Sequence, residues 1–247
     1  MAPTPLTRRL LGVAAGCALT VGLGACGSGA VPDDADLVAG KQAFVKACSA
    51  CHILSRANTK GTVGPDLDEA FRRSLGEGFG RDTVRGVVLQ QILHPARLPK
   101  DSPAYMPPKL VEGETAVDVA SYVASVASLP GKDTGRLGSA VAAPGAGKPA
   151  VAKDGKLAIP ADPNGQLAYL TKKATADPGP LEINSPNDSS VVHDIAIDDN
   201  GVSEDGKDVV NGGVSTISFT AKAGTYDYFC TLPGHREAGM EGVLTVK

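Results

Sequence analysis

The stretch YFCTLPGHREAGMEG, residues 228–242, places a cysteine, a histidine and a methionine at two successive spacings of five. These residues are Cys230, His235 and Met240. The whole chain of 247 residues has only 4 histidines, 5 cysteines and 3 methionines, so this stretch concentrates scarce side chains. Thiolate, thioether and imidazole groups are ligands for transition metals. The stretch therefore indicates a metal centre in the second half of the chain.

A distant imidazole donor lies upstream, in SVVHDIAI at residues 190–197. Apolar and polar residues alternate in this segment, which predicts a half-buried strand that carries His193. One cysteine, two histidines and a weak axial methionine form the ligand set of a blue copper site. Zinc is the alternative metal, but the additional methionine sulfur favours copper. We expect a copper ion that accepts and releases single electrons.

Short apolar stretches, separated by clusters of Gly, Pro, Asn and Asp, continue from Lys156 to the C-terminus. Such spacing predicts an antiparallel β-sandwich. Residues 155–247 carry 7 basic and 13 acidic side chains, a net charge of −6, which favours cationic partners. The predicted strands are KLAIPA, LEINSP, SVVHDIAI, STISFTA, TYDYFC and GVLTVK.

Residues 155–247 resemble a cupredoxin, and the C-x4-H-x4-M loop is similar to that of azurin-, rusticyanin- and auracyanin-like members. The resemblance implies type 1 copper held by His193, Cys230, His235 and Met240. Many cupredoxins have Asn after the first ligand histidine, hydrogen-bonded to the residue that follows the cysteine. Here Asp194 takes that place, with Thr231 as its expected partner, so the resemblance implies altered electrostatics at the copper site.

The first half of the chain contains CSACH, residues 48–52, which is the CxxCH attachment signature of a c-type haem. Cys48 and Cys51 would add to the two vinyl groups of the haem, and His52 would bind the iron. A thioredoxin-like CxxC would need a βαβ setting, and a zinc site would need a fourth ligand. The helical pattern around CSACH favours the haem.

Three segments of residues 34–130 have apolar residues at helical spacing, which predicts a small all-α domain. The predicted helices are DDADLVAGKQAFVKACSACH, RDTVRGVVLQQILH and TAVDVASYVASVASL. The domain resembles a class I c-type cytochrome. Gly40, Phe44 and Tyr122 match the residues at which that family crosses its first and last helices.

The cytochrome resemblance also implies the axial ligands of the haem. GPDL, residues 64–67, resembles the loop whose carbonyl, here that of Pro65, orients the axial His52. YMPPK resembles the methionine loop, which implies Met106 as the second iron ligand. A filled sixth position favours electron transfer over oxygen or peroxide chemistry. The alternative is that Met106 only fills space beside the haem.

Counting the remaining side chains excludes richer copper chemistry. A dinuclear copper centre needs a second cysteine in the loop, where Cys230 is alone. A multicopper oxidase or a copper nitrite reductase needs additional histidines, and only His94 has no assignment. We interpret His94, in ILHPARLP, as a partly exposed histidine at a helix end.

The N-terminal residues 1–26 are typical of an export signal: Arg8 and Arg9 precede the apolar LLGVAAGCALTVGLG. LGAC, which ends at Cys26, resembles the lipobox of bacterial lipoproteins and implies a lipidated Cys26. A plain secretory signal is the alternative. Processing would leave 22 basic and 27 acidic residues, a net charge of −5, and three cysteines outside the lipid anchor, too few for a disulfide framework.

Two domains are thus expected, a class I cytochrome c domain at 34–130 and a cupredoxin domain at 155–247. Residues 131–154 are rich in Gly, Pro, Ala and Lys, which predicts a flexible linker. We expect a lipid-anchored electron carrier on the outer face of the bacterial cytoplasmic membrane or in the periplasm.

Redox proteins are the expected partners, with a cytochrome complex as donor and a terminal oxidase or reductase as acceptor. The net charge of −3 and the absence of a Lys/Arg run exclude nucleic acid. A haem-based peroxide or nitrite reductase fed by the copper domain, and a copper storage or delivery protein, are the alternative functions.

Overall fold

A computed structural model of the chain describes residues 35–247. The predicted export signal at 1–26 and the lipid acceptor Cys26 lie outside the described residues. Among the helices of the described part, none combines the length and the apolar character that crossing a membrane requires.

The first half of the described chain is helical, with one small hairpin. Three of its four helices were predicted from their periodicity, whereas α2, Leu67–Gly76, was missed although Leu67, Phe71 and Leu75 recur in it at a spacing of four. The side chain of Asp66 caps the start of α2 by accepting hydrogen bonds from the backbone N–H groups of Asp68 and Glu69. The elements are α1 (Leu37–Cys48), β1 (Ile53–Leu54), β2 (Thr59–Lys60), α2 (Leu67–Gly76), α3 (Arg81–Leu93) and α4 (Gly113–Val126).

Helices α1 and α4 cross at a glycine. A Cβ atom on Gly40 would lie 2.2 Å from the backbone oxygen of Asp118, so only glycine lets the two backbones approach this closely. One turn further on, the rings of Phe44 and Tyr122 lie 6.2 Å apart between centroids, and both side chains are buried. The contact between Gly40, Phe44 and Tyr122 that the sequence implied is therefore present.

The segment 131–154, expected to be a flexible linker, has structure of its own. It contains α5 (Gly135–Ser139) and β3 (Ala150–Val151). At its start, the buried carboxylate of Asp133 accepts a hydrogen bond from the Tyr122 hydroxyl at 2.8 Å. The same carboxylate pairs with Lys41 at 3.1 Å and with Arg56 at 3.5 Å. Composition alone does not reveal these two ion pairs, and the segment predicted to be a flexible linker has defined contacts at its start.

The second half of the described chain consists of two stacked sheets. One has the strand order β3-β5-β11-β10-β7-β8 and the other has the order β4-β6-β9. The elements are β4 (Lys156–Ala158), β5 (Lys173–Ala176), β6 (Gly179–Asn187), β7 (Ala196–Asp199), β8 (Val202–Asp205), β9 (Gly213–Ala221), β10 (Gly224–Phe229), α6 (His235–Ala238) and β11 (Glu241–Val246).

The predicted sandwich is correct as an architecture, but it is not purely antiparallel. Strand β5 is parallel to both β3 and β11, and β4 is parallel to β6. Sequence periodicity indicates which face of a strand is buried and carries no information on strand direction. The predicted strand SVVHDIAI is also shorter than expected, because β7 begins only at Ala196.

Apolar side chains from both sheets fill the space between them. Aromatic rings are scarce, and Tyr169 and Tyr228 form an edge-to-face pair with centroids 5.5 Å apart. The sulfur-bearing side chains of Cys230 and Met240 belong to the same core, at its end. The core also includes Leu157, Ile183, Ile197, Ile217, Tyr226 and Leu244.

Candidate metal centre

Two neighbouring strands hold the two sulfur donors of the opening stretch. Cys230 follows β10 and Met240 precedes β11, and these strands pair antiparallel with Phe229 opposite Glu241. The backbone N–H of Cys230 donates to the carbonyl oxygen of Met240 at 3.1 Å. Both side chains are buried. The pairing of β10 with β11 holds Cys230 at the start of the loop and Met240 at its end.

His235 lies between them, at the start of the short helix α6. Its backbone N–H donates to Leu232 at 3.1 Å, and its carbonyl accepts from Met240 at 3.0 Å. Gly234 and Gly239 flank this turn with φ angles of 81° and 104°, a left-handed conformation that glycine adopts without strain. These two glycines allow the chain to turn sharply enough to bring His235 back toward Cys230.

His193 reaches the same place from the loop before β7. It forms an isolated antiparallel bridge with Val209, in which each residue's N–H donates to the other's carbonyl, at 3.1 and 2.9 Å. The side chain is buried. The bridge holds His193 in position although the residue precedes β7 and, contrary to the sequence prediction, does not lie in a regular strand.

The three side chains converge on one point. Nδ1 of His235 lies 3.3 Å from Sγ of Cys230 and 3.3 Å from Nδ1 of His193. Their ligand atoms all lie within 4.8 Å of one another. Within residues 35–247, no other group of three His, Cys, Asp or Glu side chains converges in this way. A thiol and two imidazoles facing one point, with the buried Met240 beside them, fit the donor set of type 1 copper.

Burial lowers the pKa values of the two imidazoles and raises that of the thiol, with different consequences for metal binding. It lowers the pKa of His193 to about 4, with a further contribution from the neighbouring His235, and it lowers the pKa of His235 as well. Both imidazoles are therefore neutral near pH 7, with free lone pairs. Burial raises the pKa of the Cys230 thiol to about 12, so that a metal must displace a proton before the thiolate binds.

Asp194 joins the two sides of the site. Its carboxylate accepts hydrogen bonds from the backbone N–H of Thr231, at 2.8 Å, and from the Thr231 hydroxyl. Its backbone carbonyl accepts from the hydroxyl of Tyr169 at 2.7 Å. The expected contact between Asp194 and Thr231 is therefore present, and it fastens the residue after His193 to the residue after Cys230.

The outer nitrogen of one ligand histidine has no partner. Nε2 of His193 is buried and makes no hydrogen bond to any of the described residues. Ligand histidines usually donate this N–H to a carbonyl or a carboxylate, which orients the ring. At His193, the ring is instead confined by burial and by its edge-to-face contact with the His235 ring, with centroids 5.1 Å apart.

The helical half contains a separate cavity of about 410 Å³, a size suited to an organic ligand. His52 lies at its edge, with Nδ1 2.9 Å from the carbonyl oxygen of Pro65. A Cβ atom on Gly64 would lie 2.4 Å from the His52 ring, so glycine is needed beside it. The haem-binding residues suggested by the sequence all line this cavity: Cys48, Cys51, His52, Pro65 and Met106.

This cavity suits the predicted haem group. Apolar side chains form most of its wall, among them Phe44, Phe71 and Val88. Burial raises the pKa of the Cys48 thiol to about 12 and also raises that of Cys51. Both cysteines are thus protonated thiols near pH 7.

Some contacts in and near these sites were not predicted. Gln91, on α3, has its Nε2 3.9 Å from the sulfur of Met106. It lies within a predicted helix at 15 residues from Met106, and no spacing rule connects the two. His94 lies at the end of α3, where its backbone N–H donates to Gln90, and it does not line the cavity.

Comparison with known proteins identifies the second half of the chain. Residues 158–247 match the family of copper binding proteins described as the plastocyanin/azurin family. This part of the chain is a cupredoxin, or blue copper, domain. The cupredoxin domain that the sequence predicted is thereby confirmed, with type 1 copper as the metal that its donor set fits.

Several solved structures are similar to the same part of the chain. Reduced auracyanin from Roseiflexus castenholzii is 27% identical over 39% of this chain and 99% of its own, with a TM-score of 0.34. Auracyanin A, a "blue" copper protein from Chloroflexus aurantiacus, is 23% identical over 40% of this chain and 100% of its own, with a TM-score of 0.32. A reduced variant of amicyanin is 19% identical over 39% and 86%, with a TM-score of 0.31. No curated protein matches the sequence.

Proposed function

We propose that this protein is an electron carrier that passes single electrons between a c-type haem and a type 1 copper ion. The observation that carries the proposal is the convergence of His193, Cys230 and His235 in a cupredoxin domain. A second observation supports the haem: the helical half gathers CxxCH, a histidine-orienting carbonyl and a methionine around one cavity.

The copper residues are arranged to hold a metal with little movement. The ion would supply one-electron redox chemistry, as in other sites with one cysteine, two histidines and a weak methionine. Cys230 and Met240 are fixed by neighbouring strands, and His235 by the turn between them. Four protein donors would fill the first shell, which favours electron transfer over binding of a substrate.

The haem residues have equally distinct roles. Cys48 and Cys51 would form the two thioether bonds, and His52 and Met106 would serve as the axial ligands. The Pro65 carbonyl accepts the Nδ1–H of His52, which orients the ring and leaves its other nitrogen for the iron. This assignment makes residues 34–130 a class I cytochrome c domain, joined through 131–154 to the cupredoxin domain at 155–247.

The location and partners follow from the N-terminal sequence and the charge. A lipid on Cys26 would confine the protein to the outer face of the bacterial cytoplasmic membrane or to the periplasm. The acidic cupredoxin domain would approach a positively charged redox partner. A cytochrome complex is the proposed donor, and a terminal oxidase or reductase is the proposed acceptor.

Metal analysis and rapid reduction test this proposal on the exported, purified protein. We expect iron and copper in equal amounts, an absorption band from sulfur-to-iron charge transfer, and an intense blue band. In stopped-flow reduction the haem and copper bands should equilibrate with each other. A high-spin haem that reduces peroxide or nitrite would support the reductase alternative, and rapid copper exchange would support copper delivery.

Three alanine variants assign the sites separately. Cys230→Ala should abolish the blue band and leave the haem spectrum intact. His52→Ala should change the haem spectrum and leave the blue band intact. His94→Ala, which removes a histidine outside both sites, should change neither. Loss of either band in the His94 variant would contradict the assignment.

A further inference from the structure

The haem attachment sequence itself touches the cupredoxin domain. Ser49, between the two cysteines of CSACH, is buried, and its hydroxyl donates to the carbonyl oxygen of Gly165 at 3.2 Å. Gly165 has a φ angle of 75°, and a Cβ atom there would lie 3.5 Å from the carbonyl oxygen of Lys46 on α1. Two small residues thus allow the loop around Gly165 to lie directly on the end of α1.

On the copper side, both ends of the turn that carries His235 face the helical half. A Cβ atom on Gly234 would lie 3.5 Å from the Thr62 hydroxyl oxygen. A Cβ atom on Gly239 would lie 3.8 Å from Nζ of Lys60. These two glycines directly precede the copper ligands His235 and Met240.

Three residues, 60–62, lie between the haem attachment sequence and the loop that carries the copper ligands. Lys60–Thr62 faces Gly234 and Gly239 on one side. On the other side, a Cβ atom on Gly61 would lie 2.3 Å from the carbonyl oxygen of Ala50 and 2.5 Å from the backbone nitrogen of Cys51. Lys60–Thr62 is therefore in contact with the haem attachment sequence and adjacent to the copper-ligand loop.

The connecting segment is fastened to both halves. Toward the helical half, Lys41 Nζ donates to Leu137 at 2.9 Å and Gln42 Nε2 donates to Ala140 at 3.1 Å. Toward the β half, the N–H of Gly147 donates to Leu170 at 2.7 Å. These bonds limit the swinging motion that a free tether would allow.

We infer that the two domains stay docked in one arrangement, and that Lys60–Thr62 is the place where electrons cross between them. The crossing role rests on the proposed function, whereas the docking does not. Electron tunnelling weakens steeply with distance, and residues 60–62 contact the haem attachment sequence and lie next to the copper-ligand loop, so they provide a short protein route between the two sites. The domain interface is then a permanent internal redox interface.

Chemical cross-linking tests the docking without any metal. Nζ of Lys60 and Nζ of Lys172 both lie within 4 Å of the same point beside Gly239. A short amine-reactive cross-linker applied to the dilute full-length chain should therefore join these two lysines within one molecule. Lys60→Arg keeps the charge, removes the reactive amine and should abolish that link. Singly modified Lys60 and Lys172 without an intramolecular link between them would overturn the docking.

A bulky side chain introduced at residue 62 tests the electron route. Thr62→Trp adds bulk at an exposed position of the interface, and Thr83→Trp adds the same bulk to an exposed position of α3. With both metal bands intact, Thr62→Trp should slow haem–copper equilibration at least tenfold, and Thr83→Trp should leave the rate unchanged. Intact bands with an unchanged rate in Thr62→Trp would overturn the inference and leave the proposed function standing. Absence of a metal band from the parent protein would instead overturn the proposed function.

Discussion

Asp194 is the residue at which this copper site departs from the cupredoxin pattern. Its carboxylate is buried and accepts two hydrogen bonds from Thr231, next to the ligand Cys230. An amide in the same place would keep the shape and remove a negative charge. A buried charge is screened far less than an exposed one, so the substitution should be felt at the metal.

We predict that Asp194→Asn raises the reduction potential of the copper. A nearby carboxylate stabilises the more positive, oxidised ion, so its removal favours the reduced one, by roughly 60 mV or a tenfold change in a one-electron equilibrium. Potentiometric titration of the blue band measures this shift. Asp198→Asn, at an exposed position of the same sheet, should have a much smaller effect. Equal shifts in the two variants would contradict the role of Asp194.

Copper binding to the metal-free protein should release one proton. Between about pH 7 and pH 9, both imidazoles are already neutral because their pKa values are lowered, whereas the Cys230 pKa of about 12 keeps the thiol protonated. Thiolate ligation must therefore expel the thiol proton, and the affinity should rise about tenfold per pH unit. Calorimetry in buffers of different ionisation enthalpy counts the proton. An affinity that does not change with pH would show that Cys230 is not the ligand.

The ligand residues were predictable because their chemistry is a property of residue type and spacing. Cys230, His235 and Met240 are close in sequence, and few other side chains offer sulfur or imidazole. The supporting contacts were not predictable in the same way. Tyr169 reaches the carbonyl of Asp194 across 25 residues, and no spacing rule indicates that contact.

At the scale of elements, periodicity predicted α1, α3 and α4 but missed α2, although its Leu67, Phe71 and Leu75 lie on one face at a spacing of four. Helix α2 and strand β8 are rich in charge, and β5, with the sequence KATA, has small apolar residues. The parallel pairing of β5 with β11 depends on the sheet as a whole. The crossing of α1 and α4 was anticipated only through the resemblance of Gly40, Phe44 and Tyr122 to the class I cytochrome pattern.

We predict that Gly40→Ala destabilises the helical half. The new Cβ would lie 2.2 Å from the backbone of Asp118, so the helices must separate, at a cost of about 1–3 kcal/mol in the free energy of unfolding. Gly86→Ala, in the exposed middle of α3 with nothing within 4 Å, should instead stabilise the protein by about 0.5–1 kcal/mol. Denaturation followed by helical circular dichroism compares the two. Similar stabilities would argue against the tight crossing.

At the scale of the whole molecule, the arrangement of the halves could not be obtained from composition. Residues 131–154 have the composition of a flexible tether, yet Asp133 is buried among Lys41, Arg56 and Tyr122. Only the folded chain brings these four residues together.

We predict that Asp133→Asn costs about 3 kcal/mol in the free energy of unfolding, because it leaves the buried Lys41 without its counter-charge. Asp154→Asn is the matched control. Asp154 is exposed in the same segment, at a φ angle of 50° that Asn tolerates, and the change should stay within about 0.5 kcal/mol. Chemical denaturation of both variants measures the difference. A harmless Asp133→Asn would mean that the segment is not anchored there.

Because Ser49 is buried against Gly165, the docked β-sandwich covers part of the loop that carries Cys48 and Cys51. Under the proposed function, an enzyme that attaches haem to these cysteines would need to bind the loop before the two halves dock. Biogenesis would then run in a set order, with iron installed first and the halves joined afterwards.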